Sequence, residues 1–134
     1  MSDDNLPLLQ GTLDILVLKA LAGGPLHGYA VARWIRETTD DALQIEEGAL
    51  YTSLHRLEKR GWLHSSWGSS ENNRRAKFYG LTSSGEKQLR KGSRAWARYA
   101  EAVSKILESP EVGPTTSHGR TGPGLGTPDP EVAT

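Results

Sequence analysis

Apolar residues recur at helical spacing in the first part of the chain and predict a helix over residues 8–22. Its main apolar stripe consists of Leu9, Leu13, Leu16, Ala20 and Leu21. Ile15 and Leu18 lie off that stripe, so a second side of the helix is also apolar. Because a helix that is apolar on two sides packs against two neighbours, this pair indicates a dimer interface.

Two further helices are predicted over residues 27–38 and 46–60. In the second of these, Leu50, Leu54 and Leu57 fall within one narrow arc at about 100° per residue. The opposite side collects small, hydrogen-bonding and cationic side chains. They are Gly48, Thr52, His55, Arg56 and Lys59, with Tyr51 on the flank. Such a face suits base edges and phosphates, so we expect this helix to enter a DNA groove.

A hairpin is predicted from two β-prone segments, residues 62–67 and 77–81, that flank a polar stretch. We expect its tip to carry three cations, Arg74, Arg75 and Lys77, with Asn73 beside them. A helix followed by a basic hairpin is typical of DNA-binding folds in which the hairpin touches the backbone or minor groove. The alternative is a flexible tip that serves only solubility.

A last helix is predicted from about residue 83 to residue 108. Ser83 and Glu86 have the spacing of a capping box, and Thr82 is an alternative cap. The apolar positions of the helix recur in a heptad-like pattern that suits packing on a partner helix. They are Leu89, Trp96, Tyr99, Val103 and Ile106.

Composition and length narrow the classes of protein. The chain has 134 residues, enough for one domain, and no cysteine, which excludes disulfides and thiolate metal sites. Its histidines are scattered, and no catalytic or phosphate-loop motif is present, so we expect neither metal, cofactor nor enzymatic activity. Residues 13–22 are apolar but too short for a membrane span, which favours a cytoplasmic protein. Residues 109–134 contain 5 Pro and 5 Gly and are predicted to be a disordered tail.

Charge is distributed unevenly although the chain as a whole is neutral. Residues 56–105 contain 12 Lys/Arg and 4 Asp/Glu, a net charge of +8, whereas residues 1–55 carry −5 and residues 106–134 carry −3. Charges more than about 8–10 Å apart are screened at cellular salt, so the basic block can attract phosphate whatever the total. The alternative is a helix face and a hairpin whose charges are simply solvated.

Three motifs carry a closer resemblance. They are residues 27–29 (His-Gly-Tyr), 48–58 (Gly-Ala-Leu-Tyr-Thr-Ser-Leu-His-Arg-Leu-Glu) and 74–85 (Arg-Arg-Ala-Lys-Phe-Tyr-Gly-Leu-Thr-x-x-Gly). Together they resemble the PadR family of bacterial transcriptional regulators over about residues 8–107, and residues 67–77 resemble its acidobacterial-type branch. The chain departs from the family pattern at Thr52, where many members have proline, and at residues 45–46, where they have a Ser or Thr cap.

The resemblance implies a mainly α, α+β winged helix-turn-helix over residues 1–81 and a dimerisation helix over residues 82–108. It implies a homodimeric repressor that binds a palindromic operator, reads DNA with the third helix and dimerises through the fourth and first helices. Some similar proteins place a tryptophan at the position of Trp96 beside a planar aromatic effector; the alternative is an ordinary interface tryptophan. A different class of function, a winged-helix module that binds only proteins, remains as the competing interpretation.

Overall fold

The computed structural model describes residues 11–112 and has four helices and three short strands in that range. Their order is α1 (Leu13–Ala20), β1 (Leu26–His27), α2 (Gly28–Thr38), α3 (Glu47–Lys59), β2 (Leu63–Ser69), β3 (Arg75–Leu81) and α4 (Ser83–Glu108). The strands form one antiparallel sheet in the order β1-β3-β2. This is the predicted α+β winged helix-turn-helix with an additional C-terminal helix.

The core lies where α1, α2 and α3 meet the sheet. The predicted inward face of α3 is confirmed, because Leu50, Leu54 and Leu57 are buried, and α2 buries Val31 and Ile35 beside them. From α1, however, the deepest residues are Val17 and Leu18. We had placed Leu18 on a second, partner-facing side, but it is only 1% exposed within its own protomer. The two apolar sides of α1 thus reflect burial among elements of one chain.

Several boundaries differ from the predictions. The first helix ends at Ala20, two residues early, because the backbone turns through Leu21 before reaching Gly24, whose φ of +137° is left-handed. Its predicted start at residue 8, with Leu9, lies outside the described residues. Strand β1 was not predicted at all; its two residues pair with Tyr79 and Phe78 of β3.

Helix α4 begins with Thr82 as its cap instead of the predicted Ser83–Glu86 box. The Thr82 hydroxyl oxygen accepts the Gly85 N–H at 3.0 Å and donates to the Gly61 carbonyl at 2.7 Å. Gly85 fits tightly here, since a Cβ would overlap the carbonyl oxygen of Trp62. The cap therefore joins the start of α4 to the end of α3 and to the sheet.

The chain divides into two compact units, with the first ending at Arg98 and the second beginning at Tyr99. In the first unit, Leu89 of α4 packs on the core, and Gly92 lies against Ile15 of α1. The described part of the second unit comprises the last turns of α4 and residues 109–112. Most of the tail predicted for residues 109–134 lies outside the described residues.

Candidate nucleic-acid interface

Helix α3 presents one polar face to solvent. Thr52, His55 and Lys59 are exposed, as are Gly48 and Ala49, whereas Leu50, Leu54 and Leu57 point into the core. Glu46 caps the helix with an extended backbone but makes no side-chain capping bond. The helix is therefore held by its leucine face, and its exposed side offers hydroxyl, imidazole and ammonium groups at successive turns.

Arg56, which we expected on the polar face, is tied to α1. Its guanidinium pairs with Asp14, with the Nε donating to Oδ2 at 3.0 Å, and the buried Ser53 hydroxyl donates to Oδ1 at 2.7 Å. Burial disfavours the charged form of Asp14, but the hydrogen bonds from Arg56 and Ser53 outweigh it and lower the pKa of this carboxyl. The same pair raises the pKa of Arg56. Asp14 thus fixes the position of α3 against α1.

Tyr51 lies across the start of α2. Its ring is half-buried, and a Cβ on Gly28 would be 2.5 Å from its hydroxyl oxygen. Only glycine at residue 28 lets the ring lie this close, which gives the His-Gly-Tyr motif a packing reason. Tyr51 therefore packs on α2, although its ring still lines a cleft described below.

The wing consists of β2, β3 and a five-residue turn from Ser70 to Arg74. The Ser70 N–H donates to the Arg74 carbonyl at 2.8 Å, and Asn73 adopts a left-handed φ of +59°. Arg74 is in this turn, but Arg75 and Lys77 belong to strand β3, so the expectation that all three cations sit at the tip is corrected. The predicted loop was too long, because the two strands stay paired as far as Ser69 and Arg75.

The two strand cations have partners within the chain. The Arg75 guanidinium lies 4.6 Å from the centre of the exposed Trp67 ring, a cation–π contact. The Lys77 ammonium lies 3.6 Å from Glu58 of α3, whose other oxygen accepts the Ser65 hydroxyl at 2.6 Å. The Glu58 contacts connect the wing to α3, whereas the contact between Arg75 and Trp67 lies within the wing itself.

A cleft of about 620 Å³ separates the start of α2, the exposed side of α3 and the wing. Its lining includes Tyr51 and His55 from α3 and Arg74, Arg75 and Lys77 from the wing. Five of the nine residues that we predicted to contact DNA therefore meet around one space. Thr52, Arg56, Lys59 and Asn73 do not line it.

The cleft also contains residues to which the sequence assigned no role. His27 is the N-terminal cap of α2, and Tyr29 lies in its first turn. Glu71 in the wing turn accepts hydrogen bonds from His27 and from Arg33, each at 3.2 Å. Its own backbone N–H, His27 and Arg33 together lower the pKa of Glu71 to about 2. The only signal in the sequence was the position of His27 and Glu71 within the motifs that carry the family resemblance.

The apolar residues of α4 that we predicted at a dimer interface are largely exposed in the single chain. Trp96 is 43% exposed and Ile106 is 73% exposed, and Tyr99 and Val103 are exposed as well. Leu107, which lies off the heptad-like pattern, is 77% exposed as well. Leu89 differs, since it packs on the core of its own protomer.

Across residues 11–112 every helix is too short or too polar to cross a lipid bilayer. In the same range, no group of three or more histidine, aspartate or glutamate side chains is arranged to hold a metal ion.

Comparison with known proteins places the geometry in a family. The model of the transcriptional regulator PadR-like family matches residues 17–91, more than half of the chain. A transcriptional regulator from Clostridium thermocellum is 30% identical, with a TM-score of 0.68 over 74% of this chain and 96% of that one. A PadR family regulator from Eggerthella lenta is 34% identical, with a TM-score of 0.63 over 75% of this chain and 86% of that one. An uncharacterized protein from Lysinibacillus sphaericus is 28% identical over 78% of this chain and 95% of its own length.

Proposed function

The chain belongs to the transcriptional regulator PadR-like family of DNA-binding regulators, which is not a family of enzymes, and we propose that it acts in the cytoplasm as a homodimeric repressor of a palindromic promoter operator. The single observation that carries this proposal is the exposed polar face of α3 beside a wing whose cations line the same cleft. A helix that enters a DNA groove and a hairpin that contacts the adjacent phosphate backbone require this arrangement.

We assign direct contacts to the side chains that the fold leaves accessible. The proposed set is Tyr51, Thr52, His55, Lys59, Asn73, Arg74, Arg75 and Lys77. Thr52, His55 and Lys59 face the base edges, and the wing residues face the backbone. We assign Arg56 to holding α3 in place, because Asp14 occupies its guanidinium.

Dimerisation is proposed to use α4. Trp96, Tyr99, Val103 and Ile106 of this helix are exposed large apolar side chains in the single chain, where water contact is unfavourable. Ile15 of α1 packs beside the same helix at Gly92. A two-fold dimer places two copies of α3 on successive half-sites, which accounts for a palindromic operator. In functional terms, residues 1–81 then bind DNA and residues 82–108 dimerise.

An effector is proposed to release the operator by favouring a dimer whose reading helices do not match the half-site spacing. Trp96 is the proposed contact for a planar aromatic effector, because its ring offers a stacking surface. Titrating planar aromatic compounds while recording tryptophan fluorescence tests this, with Trp96→Ala as the control. An identical response from the variant would remove Trp96 from the proposal.

The proposed function is tested by selecting bound fragments from a random duplex pool with the full chain. We expect a two-fold symmetric sequence to emerge. If a winged-helix module for proteins were correct instead, no duplex would be enriched even at low salt. That competing function also requires apolar anchors on α3, yet the large apolar residues of this helix are buried.

The wing is tested by the double variant Arg74→Ala/Arg75→Ala against the selected operator. Each lost phosphate contact lowers the slope of log affinity against log salt by about 0.9, so we expect a flatter slope and weaker binding to all duplexes alike. Lys19→Ala/Lys87→Ala is the matched control, since it removes two exposed cations that do not line the cleft. Equal slopes for the two double variants would exclude the wing from the interface.

A further inference from the structure

We propose that Glu71 occupies a phosphate site in the free protein, and that a backbone phosphate of DNA replaces its carboxylate on His27 and Arg33 when the duplex binds. Arg33 is then a phosphate-binding residue that the wing masks until DNA arrives. This inference rests on the proposed function, since it names a further contact and a competitor at the same interface.

The two donors converge on one carboxylate. Nε2 of His27 lies 3.2 Å from one oxygen of Glu71, and a guanidinium nitrogen of Arg33 lies 3.2 Å from the other. Nδ1 of His27 accepts the backbone N–H of Ala30 at 3.2 Å. Because Nδ1 is an acceptor, the neutral ring carries its proton on Nε2 and donates it to Glu71. The N-terminal cap of α2 thereby fixes which tautomer faces the site.

Both donors are held by the fold. His27 is in β1, paired with Phe78, and its ring packs edge-on against the Phe78 ring with centroids 5.3 Å apart. The Arg33 guanidinium lies 5.4 Å from the centre of the Tyr29 ring. His27 has a side-chain exposure of only 12%, whereas Glu71 is 54% exposed. The donor pair is therefore anchored on α2 and the sheet, and its acceptor is on the exposed wing turn.

A phosphate fits the same donors because, like the carboxylate, it presents two oxygens to an imidazole N–H and a guanidinium. The cleft beside them is lined by Tyr51 and His55 of α3 and by Arg74 of the wing. A phosphate at this place adjoins the groove that α3 enters, which makes the backbone of the operator the fitting source of the anion. Glu71 is the one acidic side chain in the lining.

Competition follows from charge and exposure. Because the pKa of Glu71 is lowered to about 2, its carboxylate stays charged at neutral pH and repels an approaching phosphate. Exposed ion pairs are weak, so an incoming phosphate displaces the pair easily. Once Glu71 is displaced, the wing turn is free to move Arg74 toward the DNA backbone. If the ion pairs of Glu71 served only to hold the wing in place, the expected change in DNA affinity would be the opposite. Removing the Glu71 charge would then weaken DNA binding.

The test uses the full chain and its selected operator, titrated between about 50 and 200 mM salt. We expect Arg33→Gln to lower the salt slope by about 0.9, the value of one phosphate contact. Arg36→Gln is the matched control: Arg36 is on the same helix, is similarly exposed (38% against 37%) and pairs with Asp41 away from the cleft. Its slope should equal that of the unaltered protein. Circular dichroism of each variant checks that the total helix content is unchanged.

Glu71→Gln completes the cycle by removing the charge while keeping the shape. We expect it to tighten binding by up to about fivefold, the range of one exposed charge interaction, and the gain should shrink in the Arg33→Gln background. Weaker binding by Glu71→Gln, or an unchanged slope for Arg33→Gln, would overturn the masked site while leaving DNA binding in place. An unaltered protein that binds no duplex would overturn the proposed function itself.

Discussion

Replacing Gly28 by alanine is expected to destabilise the protein although alanine is the better helix former. Gly28 is the first residue of α2 and is buried. A Cβ there would lie 2.5 Å from the hydroxyl oxygen of Tyr51, 2.7 Å from its Cζ and 2.9 Å from its Cε1. Non-bonded carbon atoms prefer separations of about 3.5–4.0 Å, so the ring must move by roughly 1 Å or rotate. Overpacking of this kind costs about 1–3 kcal/mol of unfolding free energy.

A double-mutant cycle isolates the contact. In a Tyr51→Ala background the ring is gone, and Gly28→Ala should be neutral or stabilising by up to about 1 kcal/mol. The coupling between the two sites is then about 1–4 kcal/mol. Tyr51→Phe should relieve only part of the cost, because the Cζ atom remains within 2.7 Å of the new methyl group. The size of the relief thus separates a clash with the hydroxyl from a clash with the ring.

Urea unfolding at one fixed protomer concentration measures all four members of the cycle, since the stability of the proposed dimer would depend on concentration. Gly48→Ala is the control, because Gly48 is exposed in the first turn of α3 and a Cβ there meets nothing within 4 Å. This variant should be stabilised by a few tenths to about 1 kcal/mol. If Gly28→Ala costs the same with and without the Tyr51 ring, the tight contact between α2 and α3 does not exist.

Two further predictions address the rotation and anchoring of α3. Leu54→Ala should lower the unfolding free energy by about 2–5 kcal/mol, because Leu54 is fully buried. Thr52 is exposed, so Thr52→Ala should change the unfolding free energy by no more than about 0.5 kcal/mol and yet alter operator affinity. The reverse pattern in urea unfolding and DNA titration would mean that α3 is rotated. The pKa of Asp14 is lowered by folding, so its stabilising contribution is present above its ordinary value of 3.8 and is lost as pH falls through the lower folded value. Asp14→Asn should therefore reduce stability at pH 7 and flatten its acid dependence, and an unchanged pH profile would contradict this.

Local pattern was sufficient for α3 because burial there follows one helical face. Leu50, Leu54 and Leu57 recur at the spacing of that face, and all three are buried. The same logic was incomplete for α1: Ala20 and Leu21 of the predicted stripe are buried, but Val17 and Leu18, which lie off it, are buried as well. An apolar residue on each side of a short helix does not say whether the second neighbour is the same chain or a partner.

The parts of the site that escaped prediction depend on contacts between distant residues. Strand β1 has two residues and no periodicity of its own; it exists because β3 offers an edge for pairing. Arg56 looked like a reading-face cation, yet it pairs with Asp14, 42 positions earlier. The hydrogen bond between His27 and Glu71 spans 44 positions. Such pairs need the folded topology, which spacing along the chain does not contain.

These distant pairs change what the charge of the chain means. The +8 block suggests that many cations are available to DNA, but Arg56 is paired with Asp14 from the acidic first part and Lys77 is paired with Glu58. A paired cation positions an element and releases fewer counterions on binding than an unpaired one. Within residues 11–112, Lys59, Arg74 and Arg75 of the proposed DNA contacts have no ion-pair partner, so they carry more of the expected salt dependence than the count of basic residues implies. Arg33 joins them only if phosphate replaces Glu71, and the salt slope is therefore the measurement that separates cations that shape the fold from cations that bind the operator.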